Sequence, residues 1–196
     1  MKLIPVKLAT CDPLLAYALR AIATSPARSI AALEKADLIP GATYYSKVVP
    51  VKERTAWHEA ALAQLATPDL IFLDPDNGLL VKSVGKRSVK SPKYTFYEEV
   101  ADYIARGKSV VVYNHRCRKK PAVYFGQIYD ALCATVPGAC GISAITFRKG
   151  SVRDYFAISA SAEHEARVAA VFAGMCAGAW GNAGMCRLQP LPYVEG

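Results

Sequence analysis

LIFLDPDNGLL, residues 70–80, runs four apolar side chains directly into two aspartates separated by a proline, and Asn77-Gly78 follows them. So short and so apolar a run, closed by Asn-Gly turn chemistry, reads as a strand covered on both faces that ends at Asp74 and Asp76. A second apolar run, SVVVY at 109–113, goes straight into Asn114-His115-Arg116, and a helical segment at 94–105 lies between the two. Strand, helix, strand with wholly apolar strands is the pattern of a parallel sheet with helices on both faces, in which ligands bind beyond the strand C-termini. If the two strands are neighbours, their polar ends share one edge and form a site there.

Working outward, residues 2–10 suit a first strand, and Asp12-Pro13 supplies an N-cap and a first-turn proline for a helix through about residue 23. A second helix is expected at about 27–36, a β-branched and aromatic strand (TYYSKVV) at 43–49, and a helix at 53–66 with Trp57, Ala60, Ala61 and Leu65 on its apolar face. Beyond SVVVY come a helix at 121–135, a hairpin of 142–147 and 155–159 around RKGSVRD, a last helix at 163–176, and an irregular glycine-rich tail from about 177. The expectation is one α/β domain over 1–196. Its fold is a Rossmann-like three-layer sandwich with a mostly parallel sheet and a C-terminal antiparallel hairpin.

With 196 residues the chain fits one domain with a sizeable core, and 53% hydrophobic against 20% charged residues argues against disorder. Its longest apolar runs fall well short of the ~20 residues of a membrane span, and the N-terminus makes a poor signal peptide. Six cysteines stand singly without a CxxC pair, which suits reduced thiols in a cytoplasmic protein with no membrane role. The formal charge is +8, and the excess is concentrated: Lys82, Lys86, Arg87, Lys90 and Lys93 occur without an intervening acid, and Arg116, Arg118, Lys119 and Lys120 follow. Such patches neutralise phosphates and make nucleic acid the expected partner.

The candidate site is Asp74, Asp76, Asn77 and His115 as chemical groups, with Asn114, Lys82, Lys93, Tyr94, Arg116 and Arg118 as substrate-binding groups around them. The strand ending in Asp74-Pro75 resembles the fourth motif of class I S-adenosylmethionine-dependent methyltransferases that act on nucleic-acid amines. The resemblance covers roughly residues 69–159, with Asp76 and Asn77 where that motif has its second proline and its aromatic, and LATCDP where a glycine-rich cofactor loop is expected. It implies S-adenosylmethionine as cofactor and Asp74 as the acceptor of a hydrogen bond from the target amine. A second chemistry is metal-assisted phosphoryl transfer or hydrolysis, with Asp74 and Asp76 on Mg²⁺ or Mn²⁺ and His115 as general acid or base. The hydrophobic-strand-DxD pattern is also similar to the first motif of haloacid-dehalogenase-type phosphatases and to the DxD of nucleotide-sugar glycosyltransferases. More specifically, Leu73 to Gly78, Lys93-Tyr94 and Tyr113-Asn114-His115 together resemble an uncharacterised family of small bacterial and phage proteins, a resemblance that implies a shared site and no reaction. A non-catalytic nucleic-acid or protein binder of phage origin, in which the acids only pair with loop cations, is the remaining alternative. His58 and His164 read as packing or surface residues.

Overall fold

In the computed structural model residues 12–192 are described, so the strand expected at 2–10 lies outside the described residues. The elements in chain order are α1 (Pro13–Thr24), α2 (Ile30–Lys35), α3 (Arg54–Gln64), β1 (Leu70–Leu73), β2 (Gly78–Leu79), β3 (Tyr94–Thr95), α4 (Tyr97–Ile104), β4 (Ser109–His115), α5 (Pro121–Thr135), β5 (Gly141–Lys149), β6 (Ser151–Ser159), α6 (Ala162–Ala177), α7 (Ala179–Asn182) and β7 (Cys186–Gln189). Asp12 caps α1 by accepting from the Leu15 amide at 2.9 Å, with Pro13 in the first turn.

Five strands form one sheet in the order β1-β4-β6-β5-β7, and β2 and β3 make a small parallel pair beside it. Only β1 and β4 are parallel within the large sheet; β4–β6, β6–β5 and β5–β7 are all antiparallel. This corrects the expectation of a mostly parallel, Rossmann-like sheet: the fold is mixed α/β with a mostly antiparallel sheet. The β1-α4-β4 crossover gives the parallel pairing of the large sheet, and the rest follows from which hairpin strand lies beside β4. That strand is β6, whose residues from Asp154 to Ser159 are buried at every position but Tyr155, as a central strand requires, whereas β5 is exposed at Arg148. Gly150 turns the hairpin at φ +80°, a conformation that costs a glycine little.

Alternation along β6 sends Phe156 and Ile158 to one face and Tyr155 and Ala157 to the other. On the first face they meet α4 and α5 through Val100, Tyr103, Phe125, Ile128 and Leu132, with Leu62 of α3 at the margin. On the second, Ile145, Ala157 and Cys186 pack against Phe172 of α6. On that face β1 is left largely uncovered, with Leu70 and Phe72 53% and 57% exposed while Ile71 is 3% exposed. The strand expected to be covered on both faces is therefore covered on one.

Three further local readings differ. Segment 43–49 forms no strand, because its carbonyls are taken by α3 side chains: Trp57 Nε1 donates to the Lys47 carbonyl at 3.0 Å and Gln64 Nε2 to that of Tyr44 at 2.6 Å. The helix expected from residue 94 begins at Tyr97, since Tyr94 and Thr95 pair with Gly78 and Leu79. The tail expected to be irregular contains α7 and the edge strand β7. Among the described residues no helix is long and apolar enough to cross a membrane.

Candidate functional site

Because β1 and β4 are parallel neighbours, with Leu73 opposite Val112, Asp74 after β1 and Asn114, His115 and Arg116 at the end of β4 come to the same edge of the sheet. The chain after Asp76 is then tied down from both sides. The Asn77 amide donates to the Lys93 carbonyl at 2.9 Å, and the His115 amide donates to the Asn77 carbonyl at 3.1 Å. Asn114, 4% exposed, accepts from the Leu79 amide at 2.6 Å and donates through Nδ2 to the Tyr124 hydroxyl at 2.6 Å. Gly78 adopts φ +113° directly against this side chain, and a Cβ there would lie 1.9 Å from Asn114 Oδ1. The Asn-Gly of the motif thus serves close backbone approach. Asn77 acts through its main chain and Asn114 as a buried clamp.

The clamp continues inward. Tyr124, whose pKa burial and the neighbouring Asp154 push well up, joins Asn114 to the fully buried Asp154. Arg116 donates from Nε to Asp154 Oδ2 at 2.9 Å and from its terminal nitrogen to Oδ1 at 2.5 Å and to Thr146 Oγ1 at 2.6 Å. Thr146 in turn donates to Asp154 at 2.6 Å. Arg116, expected at the substrate, is a structural counterion instead, as bidentate carboxylate pairing in a buried setting requires.

Alternation on β4 directs Tyr113 and His115 to the opposite face from Asn114. There a cleft of about 430 Å³ is lined by Phe72, Asp74, Pro75, Asp76, Tyr113, Arg153 and Tyr155. Tyr155 stands edge-on to Tyr113 at 5.9 Å and tilted against Phe72 at 6.4 Å between ring centres. Partial desolvation raises the Asp74 pKa, the Asp76 carboxylate raises it further, and Arg153 opposes both. Burial likewise raises the Tyr155 phenol, with Arg153 lowering it and Asp74 and Tyr113 adding to the rise. His115 is exposed at the margin, opposite Arg153 in the ladder, with its Nδ1 3.5 Å from the Tyr113 hydroxyl.

The other expected groups lie around this cleft or away from it. Lys93 Nζ is 3.6 Å from Asp76 Oδ2 in an exposed pair worth little to stability. Lys82 and Arg118 are exposed on their loops. Tyr94 is placed by its carbonyl, which accepts from Arg54 at 2.7 Å; the same Arg54 forms a bidentate pair with Glu99. His58, as read, is a packing residue: it is 7% exposed and its Nε2 meets Asp102 at 3.1 Å. His164 holds Ser109 Oγ at 2.7 Å, so it too has a structural partner. Phe72, Arg153 and Tyr155 lie outside the expected set, and Tyr113 enters it only through the strand-end resemblance. The period-2 alternation of RDYFAIS puts Arg153 and Tyr155 on one face, a signal lost when residue 153 is assigned to the hairpin loop.

Among the described residues no group of three or more His, Cys, Asp and Glu side chains is placed to hold a metal. Asp74 and Asp76 alone would face the cations Arg153 and Lys93, a poor donor set for Mg²⁺ or Mn²⁺. The lining of the cleft contains no glycine, and Gly78, the glycine of this strand end, is filled by Asn114, so these residues form no glycine cradle for S-adenosylmethionine. Compared with protein-family models, curated proteins and solved structures, the chain matches none.

Proposed function

We propose that the Asp74 cleft receives an unstacked base of a nucleic-acid strand whose phosphates lie along the exposed basic segments that follow β2 and β4. The observation that carries this reading is the wall of three rings, Phe72, Tyr113 and Tyr155, standing beside a carboxyl and a guanidinium in one cleft. Aromatic side chains stack any base face, a carboxylate accepts from the exocyclic amine of adenine or cytosine, and a guanidinium serves a base carbonyl or a phosphate. The partial exposure of Phe72 leaves ring surface available for this role. Lys82, Arg87 and Lys90 after β2 and Arg118, Lys119 and Lys120 after β4 are all exposed and available for backbone neutralisation.

Methylation of the presented amine is the reaction that the Asp74-Pro75 resemblance implies. The cleft lining supplies neither a cradle for that donor nor a third ligand for a metal, so the reading rests at base recognition. Fluorescence anisotropy with labelled single-stranded oligonucleotides tests it. Oligo(dA) and oligo(dC) are expected to bind more tightly than oligo(dT) and than duplex. Tyr155→Ala is expected to weaken binding by roughly 5- to 100-fold, the worth of one stacked base, and Asp74→Ala to erase the preference for amino-bearing bases. Equal binding of all oligomers by the unsubstituted protein and both variants would overturn the assignment.

A further inference from the structure

Cys176, in the last turn of α6, and Cys186, the first residue of β7, bring their sulfur atoms to 3.5 Å. The chain between them is held on both sides. Cys186 sits in the β5–β7 ladder opposite Phe147, and the Arg148 amide donates to the Met185 carbonyl at 2.7 Å. On the helical side, Trp180 of α7 stands edge-on to Phe147 at 5.6 Å, and the Met185 amide donates to the Trp180 carbonyl at 2.8 Å. Gly181 passes so near the end of α6 that a Cβ would lie 1.5 Å from the Cys176 carbonyl oxygen. Backbone on both flanks thus holds the two thiols at van der Waals separation, and a disulfide of ~2.05 Å needs their sulfurs only about 1.5 Å closer. Cys117, Cys133 and Cys140 are exposed, whereas Cys186 is buried and Cys176 half-buried.

We propose that Cys176 and Cys186 form a dithiol that closes to a disulfide on reaction with a low-molecular-weight disulfide, clasping the edge strand β7 to α6. The Cys176 thiolate, the more accessible, attacks one sulfur of glutathione disulfide, forming a mixed disulfide and expelling one glutathione thiolate. Cys186 gives up its proton to solvent, and its sulfur attacks Cys176 Sγ, expelling the second glutathione. Two protein thiols are oxidised and one glutathione disulfide is reduced to two glutathione molecules. Burial and the adjacent Cys176 hold the Cys186 thiol well above the ordinary thiol range, consistent with its role as the resolving and not the attacking sulfur.

The test treats the full chain with glutathione disulfide, quenches with acid, alkylates the free thiols and maps the peptides by mass spectrometry. The expected product is a peptide linked between positions 176 and 186, with a rise in melting temperature over the reduced protein. Cys186→Ser is expected to accumulate a glutathione adduct at Cys176, and Cys176→Ser to leave Cys186 unmodified. Recovery of free thiols at 176 and 186 under conditions that glutathionylate the exposed Cys133 would overturn the proposal. Persistence of an unresolved Cys176 adduct in the unsubstituted protein would do the same.

Discussion

Gly78→Ala is the substitution that most directly tests how the strand end is built. The added methyl carbon would lie 1.9 Å from Asn114 Oδ1, 2.4 Å from its Cγ and 2.8 Å from its Cα. Rotating the Asn114 side chain relieves the first two contacts and not the third, which belongs to the β4 backbone. Rotation would also break both Asn114 hydrogen bonds and leave the buried Leu79 amide unpaired, a loss of about 1–3 kcal/mol. Holding alanine at φ +113° adds strain of about 1–3 kcal/mol. With displacement of the β4 backbone, the expected destabilisation is about 3–6 kcal/mol, a large part of the ~5–15 kcal/mol of an ordinary domain. Urea denaturation followed by far-ultraviolet circular dichroism measures it. Gly85→Ala is the control, since a Cβ there meets nothing within 4 Å and no left-handed φ is required. A loss below about 1 kcal/mol at Gly78, or one matched at Gly85, would refute the clamp.

Asp154→Ala leaves Arg116 buried without its carboxylate and is expected to cost about 3–5 kcal/mol in the same denaturation experiment; a loss within the range of ordinary surface substitutions would show that the network carries no weight. Asp74 behaves oppositely. Its raised pKa means that the folded state holds the proton more tightly than the unfolded chain, so ionised Asp74 opposes folding above that pKa and the opposition fades as the pH falls through it. Asp74→Asn is therefore expected to leave the melting temperature unchanged or slightly higher at neutral pH, with the difference vanishing in acid, and a fall of several degrees would make Asp74 a structural residue. For oligo(dA) binding, protonation removes the negative charge that strengthens the Asp74 acceptor, so affinity is expected to decline on acidification at a higher pH than an ordinary aspartate would give, and the Asp74→Ala profile to lack that step. Replacing Lys82, Arg87 and Lys90 together by alanine is expected to flatten the slope of log affinity against log salt by roughly 2–3 while leaving the fold intact, since all three are exposed; an unchanged slope would remove this segment from the interface.

Helix α5 was legible to the residue because Pro121 opens it and its apolar face is regular, and α1 because Asp12-Pro13 is a local cap. The hairpin was legible too, from two apolar runs around a glycine turn. The β propensity of 43–49 points to a strand, but propensity describes a fit to a neighbouring strand, and the actual neighbour is a helix that takes its carbonyls with Trp57 and Gln64. At the site, the two polar strand ends were visible in sequence, but the sorting of their residues was not. Asn114 and Arg116 look as much like ligand-binding groups as Tyr113 and His115 do until the face on which each lies is known.

By itself, the sequence determined the main helices, the strands around Asp74 and His115 and the hairpin, the strand-end position of Asp74 and Asp76, and the concentration of positive charge after residue 80. These depend on side-chain chemistry, capping and periodicity within a few residues. Only the tertiary structure decided that β6 and not β5 lies beside β4, which made the sheet mostly antiparallel and brought Arg153 and Tyr155 from some eighty residues away in the chain to Asp74. Strand order is set by which strand can be buried on both faces, a property of the whole packed sheet. That same choice turns Asp154 inward to neutralise Arg116 and Tyr155 outward to face the cleft.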